Sequence, residues 1–169
     1  MHEVWFTADT HFGHGGALGR FRRPFGSVAE MDEAMVARWN ECVAADDVVW
    51  HLGDFAYRQT AERMAALMQR LHGVKHLITG NNDGPDTLRL AGWASVQAYA
   101  ELELAGVRLV LCHYPFRTWN AMGKGAYNLH GHSHGQLGRM TRQVDVGVDV
   151  WDFRPVTLDT IRQRRARAR

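Results

Sequence analysis

Two hydrophobic periods alternate along the first half of the chain. Residues 3–8, Glu-Val-Trp-Phe-Thr-Ala, form an apolar run of strand length, and Asp9-Thr10-His11 follows at its end. Phe12 to Gly26, rich in glycine and arginine, predicts a loop. Ser27 with Glu30 three residues later is a capping-box pattern. Behind it Val28, Met31, Met35, Trp39 and Cys42 recur at helical spacing, so an amphipathic helix is expected over 28–44 with that stripe in the core. Val48 to Leu52 is a second apolar run, ended by Gly53-Asp54. Thr60 then opens a helix carrying Met64, Leu67, Met68 and Leu71, and Gly73 stops it. Val74 to Thr79 predicts a third strand, followed by Gly80-Asn81-Asn82-Asp83.

The second half changes rhythm. A short helix is expected over 86–91. Ser95–Ala98, Tyr99–Leu104 and Val107–Cys112 then predict successive strands, with Ala105-Gly106 as a hairpin turn and His113 just beyond. Tyr114 to Tyr127 predicts a loop, Leu129 to Gly131 a short strand, and Gln143 to Val150 a strand leading to Trp151. Thr157 opens a final helix that includes Ile161. Strands alternating with helices, each strand ending in glycine or a polar residue, indicate an α/β sheet. Such sheets bind ligands at the C-terminal ends of their strands.

Composition narrows the class. With 169 residues, 46% hydrophobic and 22% charged, the chain is sized for one domain spanning 1–169 with a real core. No apolar run approaches the ~20 residues of a membrane span, and no secretory signal opens the chain. Cys42 and Cys112 stand apart among apolar neighbours, as buried free thiols do in a reducing compartment, which points to the cytoplasm. The net charge of +2 gives no global field for nucleic acid. One local bias remains: Arg162 to Arg169 holds five arginines and no acid, the composition of a solvated helix end or of a phosphate contact.

The polar residues at strand ends form the informative set. Asn128 to His134 holds three of the ten histidines in five positions, and His132 and His134, two apart, can face one site. Adding Asp9, His11, Asp54, Asn81 and His113 gives seven metal-competent groups on five segments. His51, His72 and His76 are expected to be structural. Mixed carboxylate, imidazole and amide oxygen suits first-row divalent ions. A carboxylate can bridge two ions ~3.5–4 Å apart, and water between them becomes a nucleophile at neutral pH.

Asp9-Thr10-His11, Gly53-Asp54, Gly80-Asn81-x-Asp83, His113 and Gly131-His132-Ser133-His134 resemble, in order, the five motifs of the calcineurin-like metallophosphoesterases. The opening Thr-Ala-Asp-Thr-His-Phe-Gly-His resembles the small bacterial and phage-type members. The resemblance implies a four-layer α/β/β/α sandwich of two mixed β-sheets flanked by helices. It implies two divalent ions, manganese foremost with iron, nickel, zinc or cobalt as alternatives. Asp9, His11 and His134 would hold one ion, Asn81, His113 and His132 the other, and Asp54 would bridge them. The implied reaction is hydrolysis of a phosphate ester, a nucleotide among the candidates, by attack of a metal-bound hydroxide on phosphorus.

One departure matters. Family members often carry histidine where this chain has Asn82, and an amide cannot deliver a proton. General-acid help is worth about 10²–10⁴-fold, so esters with poor leaving groups should suffer. His14, three residues past His11, is the substitute candidate; several small family members that also lack this histidine resemble phosphodiesterases more than monoesterases, so the resemblance favours diesters over monoesters. Arg20, Arg22, Arg23, Arg117 and Lys124 are either phosphate clamps or solvent-exposed. Trp119 and Tyr127 stack on a base or wall their loop. Asp83 is expected to orient its neighbours, and His130 to support the ligands or point away from them. Two other readings stay open: a metal-binding scaffold, similar to the retromer subunit of this fold, and a metal-dependent nuclease. No membrane partner is expected, and nucleic acid and oligomeric state are left open.

Overall fold

The computed structural model describes residues 2–166, so Arg167 and Arg169 of the arginine run lie outside the described residues. Nine strands form two sheets. The first holds β1 (Val4–Thr7), β2 (Val48–His51), β3 (Val74–Ile78), β4 (Trp93–Gln97) and β9 (Val156–Thr157), in the order β4-β3-β2-β1-β9. Its first four strands are parallel and β9 runs antiparallel to β1. The second holds β5 (Tyr99–Leu104), β6 (Val107–Cys112), β7 (Tyr127–His130) and β8 (Gln143–Asp145) in that order, with β5 antiparallel to β6 and the rest parallel. Both sheets are mixed, as expected.

Strand periodicity sorts side chains between layers. In β1, Trp5 turns to the helices and Phe6 to the second sheet; in β2, Val49 and Trp50 divide the same way. Helices α2 (Val28–Cys42) and α3 (Ala61–Arg70) cover the outer face with Met31, Met35, Trp39, Met64, Leu67 and Met68. Between the sheets Phe6, Leu52 and Ile78 meet Leu109, Leu111 and Leu129, each fully buried. Ser27 Oγ accepts from the Glu30 N–H and Thr60 Oγ1 from the Arg63 N–H, so both helices start at the expected caps.

On the outer face of the second sheet, Val110 is covered by Trp119 and Ala126 of the loop after His113, which holds one 3₁₀ turn, Met122–Lys124. Trp119 donates to the Ala126 carbonyl, so it walls its loop. A short helix, α4 (Pro85–Leu88), precedes β4, and α5 (Leu158–Ala166) closes the described chain.

Three expectations need correction. The region read as a loop over 12–26 contains α1, Gly15–Arg20. The strand expected over 143–150 ends at Asp145, whose carboxylate takes the Gly147 N–H and turns the chain into a 3₁₀ segment, Val148–Val150. The two residues of β9 gave no periodic signal. Among the described residues no helix is long and apolar enough to cross a membrane, and both cysteines are free.

Candidate metal centre

The seven candidate ligands converge where strand ends from both sheets meet. Asp9 and His11 follow β1, Asp54 follows β2 and Asn81 follows β3; His113 follows β6, and His132 and His134 follow β7. Backbone bonds lock these ends together: Asp9 N–H donates to the Gly53 carbonyl, His11 N–H to that of Asp54, and Gly131 N–H to that of His113. The parallel bridge between Ala8 and Gly147 ties the seam.

Five of the seven ligands hold a left-handed backbone: Asp9 (φ 57°), His11 (49°), Asp54 (60°), His132 (66°) and His134 (46°). Such a conformation costs roughly 1–2 kcal/mol per non-glycine residue, and its concentration here marks a functional site. Gly53 is required for a second reason. At φ +92° a Cβ there would lie 2.5 Å from His113 Nδ1 and 2.7 Å from Gly80 Cα.

Asp9, His11 and His134 bring one ligand atom each within 4.8 Å of one another, as do Asp9, Asp54 and His113. Asp54 Oδ2 lies 3.5 Å from His11 Nε2 and 3.7 Å from His113 Nε2, between the two groups. On the far side Asn81 Oδ1 lies 3.1 Å from His113 Nε2 and 2.9 Å from His132 Nδ1.

Hydrogen bonding outside the cluster sets which ring nitrogens face it. His113 Nδ1 lies 2.7 Å from the Leu52 carbonyl, to which it can only donate. In the neutral ring Nε2 then presents a lone pair toward two oxygens, Asn81 Oδ1 and Asp54 Oδ2. His134 Nδ1 likewise donates to Asp149 Oδ2 at 2.7 Å, leaving Nε2 to the cluster. His11 has both nitrogens buried without a partner, and Asp9 Oδ1 is buried and unpaired. Acceptors facing acceptors in a buried site are what a divalent cation satisfies, so the residues fit the ions that this donor set suits.

The charges agree. Burial, then the Asp145, Asp54 and Asp149 carboxylates, pushes Asp9 well above the ordinary carboxylate range. Burial, then Arg23 and the neighbouring imidazoles, pulls His11 down to about 2. Burial raises Asp83 to about 6. A bound cation reverses this local logic by favouring carboxylate and neutral imidazole.

Around the ligands lies a supporting layer. Asp83 accepts from the N–H groups of Asp54, Phe55 and Gly80, the orienting part expected of it. Buried His51 sits 2.9 Å from Thr10 Oγ1, which donates to the Phe55 carbonyl, fixing the residue between two ligands. His76 bonds Ser95 and stacks on Trp50, and His72 lies 3.0 Å from the Val43 carbonyl; all three have structural partners. His130 is buried with Nδ1 on the Gly131 carbonyl, away from the cluster.

Arg20, Arg22, Arg117 and Lys124 are exposed, but Arg23 is not. Its guanidinium is fully buried, grips both oxygens of Asp149 at 2.8 and 2.9 Å, and donates to the carbonyls of Asp9 and Thr10. It is therefore a support, not a phosphate clamp. Asp149 is lifted by burial but lowered further by the bonds from His134 and Arg23, and ends below the ordinary range. Phe21 was also missed; it stacks on His134 with centroids 3.5 Å apart. An acid inside the apolar Val-Gly-Val-Asp-Val run was the available signal for Asp149.

Asn82 donates from its backbone to Asp54 Oδ1 and from its side chain to Asp54 Oδ2, so it holds both oxygens of that carboxylate. His14 stacks on Tyr57 at the rim, 5.3 Å from the His11 ring. Burial, then Arg23, Arg20 and Arg58, holds it below the ordinary histidine value.

Comparison with known proteins supplies the context. Residues 3–151 match the calcineurin-like phosphoesterase superfamily domain. The gene 66 protein of Mycobacterium phage D29 is 33% identical, with 96% of each chain covered. An uncharacterized protein of Methanocaldococcus jannaschii is 27% identical over 95% of this chain and 90% of its own. A solved structure of a protein of unknown function from Aquifex aeolicus superposes with a TM-score of 0.77 at 20% identity, covering 96% of this chain and 99% of that one.

Proposed function

The chain belongs to the calcineurin-like phosphoesterase superfamily, and on that premise we propose that it hydrolyses phosphate esters, diesters in preference to monoesters, with two divalent ions. The observation that carries this reading is the place of Asp54 Oδ2, within 4 Å of Nε2 of both His11 and His113. One carboxylate oxygen there serves both halves of the cluster. Asp9, His11 and His134 would hold one ion and Asn81, His113 and His132 the other, with Asp54 placed to serve both and manganese the first choice. Ions bound in such a pair lower the pKa of water toward neutrality and neutralise charge on a transferring phosphoryl group.

The chain's own groups do the rest. His113 and His134 are held in the ligating tautomer by Leu52 and Asp149. Asn82 orients the shared carboxylate and has no proton to give a leaving group. His14 at the rim is the nearest group able to move one. With its basicity lowered it suits esters whose leaving groups need little help, monoester or diester alike, so the diester preference rests on the resemblance to small family members that lack a histidine at the position of Asn82.

The test is hydrolysis of bis-p-nitrophenyl phosphate beside the monoester, with chelator-stripped protein titrated by Mn²⁺. Turnover that follows metal, falls about 10²–10³-fold or more in Asp54→Asn, and is faster on the diester supports the proposal. Faster cleavage of the monoester overturns the diester preference. Two bound ions without turnover on either ester would favour the scaffold reading, for which the engagement of Asn82 with Asp54 is the relevant observation.

A further inference from the structure

A cavity of about 790 Å³ opens on the far side of the His134 segment, between the edge strand β8, residues 135–142 and α5. Its volume lies in the range that encloses a drug-sized ligand. Four arginines line it: Arg139, Arg142, Arg162 and Arg164. Arg164 lies over the Trp151 ring, 4.3 Å from its centroid, and donates to the Val150 carbonyl. The side chains of Arg139, Arg142 and Arg162 are exposed, and among the described residues they make no ion pair. One carboxylate lines the same wall, Asp145, and its two oxygens already accept from the N–H groups of Gly135 and Gly147. In a chain of net charge +2, this is a local excess of three uncommitted guanidinium groups.

The cavity shares a wall with the metal centre. Gly135 follows the ligand His134 directly. A Cβ on Gly147 would meet Asp9 Oδ2 at 2.8 Å and Asp145 Oδ1 at 2.9 Å, so a ligand of the metal and a wall of the cavity flank one glycine. The lining is also apolar in part: half-buried Trp151 and Leu137, the latter 55% exposed. Inorganic polyphosphate has no use for that surface. A chain of phosphodiesters carrying bases uses both, with guanidinium groups on phosphates or stacked on bases and apolar side chains against the rings. A duplex does not enter a cavity of this size.

We propose that this cavity binds single-stranded nucleic acid and seats the strand that flanks the phosphodiester at the metal centre. The inference rests on the diesterase reading for the last clause only; the binding itself needs no turnover.

The experiment is fluorescence anisotropy of a labelled oligothymidylate of about ten residues, in chelator, across a salt series. Wild-type protein should bind with an affinity that falls linearly with salt on logarithmic axes. Each lost contact to a single strand lowers that slope by about 0.7. The triple variant Arg139→Ala, Arg142→Ala, Arg162→Ala should therefore lose about two from the slope and bind at least about tenfold more weakly at low salt. The single variant Arg139→Ala should lose about 0.7, and the triple lysine variant should keep most of the slope, because lysine still neutralises phosphate. Circular dichroism melting confirms that the variants fold. No binding by wild type overturns the proposal. So do equal binding by the triple alanine variant, equal affinity for a duplex of the same length, and displacement by tripolyphosphate as efficient as by unlabelled strand. Because binding is read without metal, failure of the bis-ester assay leaves this result standing, and failure here leaves the esterase assay standing.

Discussion

The two halves of the candidate metal centre are built on different plans. Asp9, His11 and His134 are buried or half-buried, carry a carboxylate of their own, and are braced by Arg23 and Asp149. Asn81 and His132 on the other side are exposed, only His113 is buried, and none of the three is a carboxylate. The first half is a closed pocket with a dedicated counter-charge; the second opens to solvent and borrows its carboxylate from Asp54. A cation is held more tightly where a charged ligand is already fixed in a low-dielectric site. The braced half should therefore bind first and hold longest, and the open half should exchange and meet the substrate.

The largest blow to this asymmetry is Arg23→Ala. It leaves Asp149 buried without its partner and two ligand-segment carbonyls without a donor. Breaking a buried pair this way costs roughly 3–5 kcal/mol, read as a large drop in the melting midpoint. No drop would mean that the brace is ornamental. Next, Asp9→Asn should weaken the tighter Mn²⁺ site by about a hundredfold, whereas Asn81→Ala should weaken only the looser one; calorimetric titration separates the two. Equal effects on both sites would erase the distinction. Asp149→Asn is subtler, since the amide oxygen can still accept from His134. The loss of charge behind a ligating histidine should lower affinity at the tighter site by about 10-fold, the low end of the range for such supports.

The smallest effect concerns pH. Asp9 and Asp83, on opposite halves, have carboxyls raised above the ordinary value near 3.8, Asp83 to about 6. In the metal-free protein these two carboxyls bind more protons folded than unfolded, so their own contribution to stability falls as pH rises from about 4 through 6; it is read as the difference between wild type and Asp83→Asn, because His11 and His51, pulled down to about 2 and about 3, contribute in the opposite sense. Mn²⁺ favours the ionised carboxylates and should flatten or invert that slope. Denaturant titrations at pH 4, 5 and 6, with and without Mn²⁺, check the sign.

What could be read from the sequence tracks how local each signal is. The strands Tyr99–Leu104 and Val107–Cys112 and the starts of α2 and α3 match their expected bounds, because alternation and capping are written in neighbouring residues. Helix α1 was missed because its sequence, Gly-Gly-Ala-Leu-Gly-Arg, is poor in helix formers. Its exit is held instead by tertiary contacts, Phe21 on His134 and the Arg23 N–H on the Leu18 carbonyl. The seven ligand candidates were visible because each ends an apolar run. The pairing of Arg23 with Asp149 was not, since it spans 126 residues and the one local signal, an acid inside an apolar run, names no partner.

The order of the ligands along the chain also has a kinetic consequence. They are drawn from positions 9 to 134, and most sit at the ends of parallel strands, whose pairing requires long crossovers. No fragment of the chain collects a full set, so the cluster exists only when both sheets have formed and docked. Contacts that are this distant in sequence form late. A cation that recognises only the finished cluster cannot seed folding. It lowers the free energy of the native state without lowering that of the folding barrier, so it slows escape and leaves arrival unchanged. On the proposed metal reading, added Mn²⁺ should act as a latch on the completed molecule, lengthening its lifetime against unfolding while refolding proceeds at the pace of the bare chain.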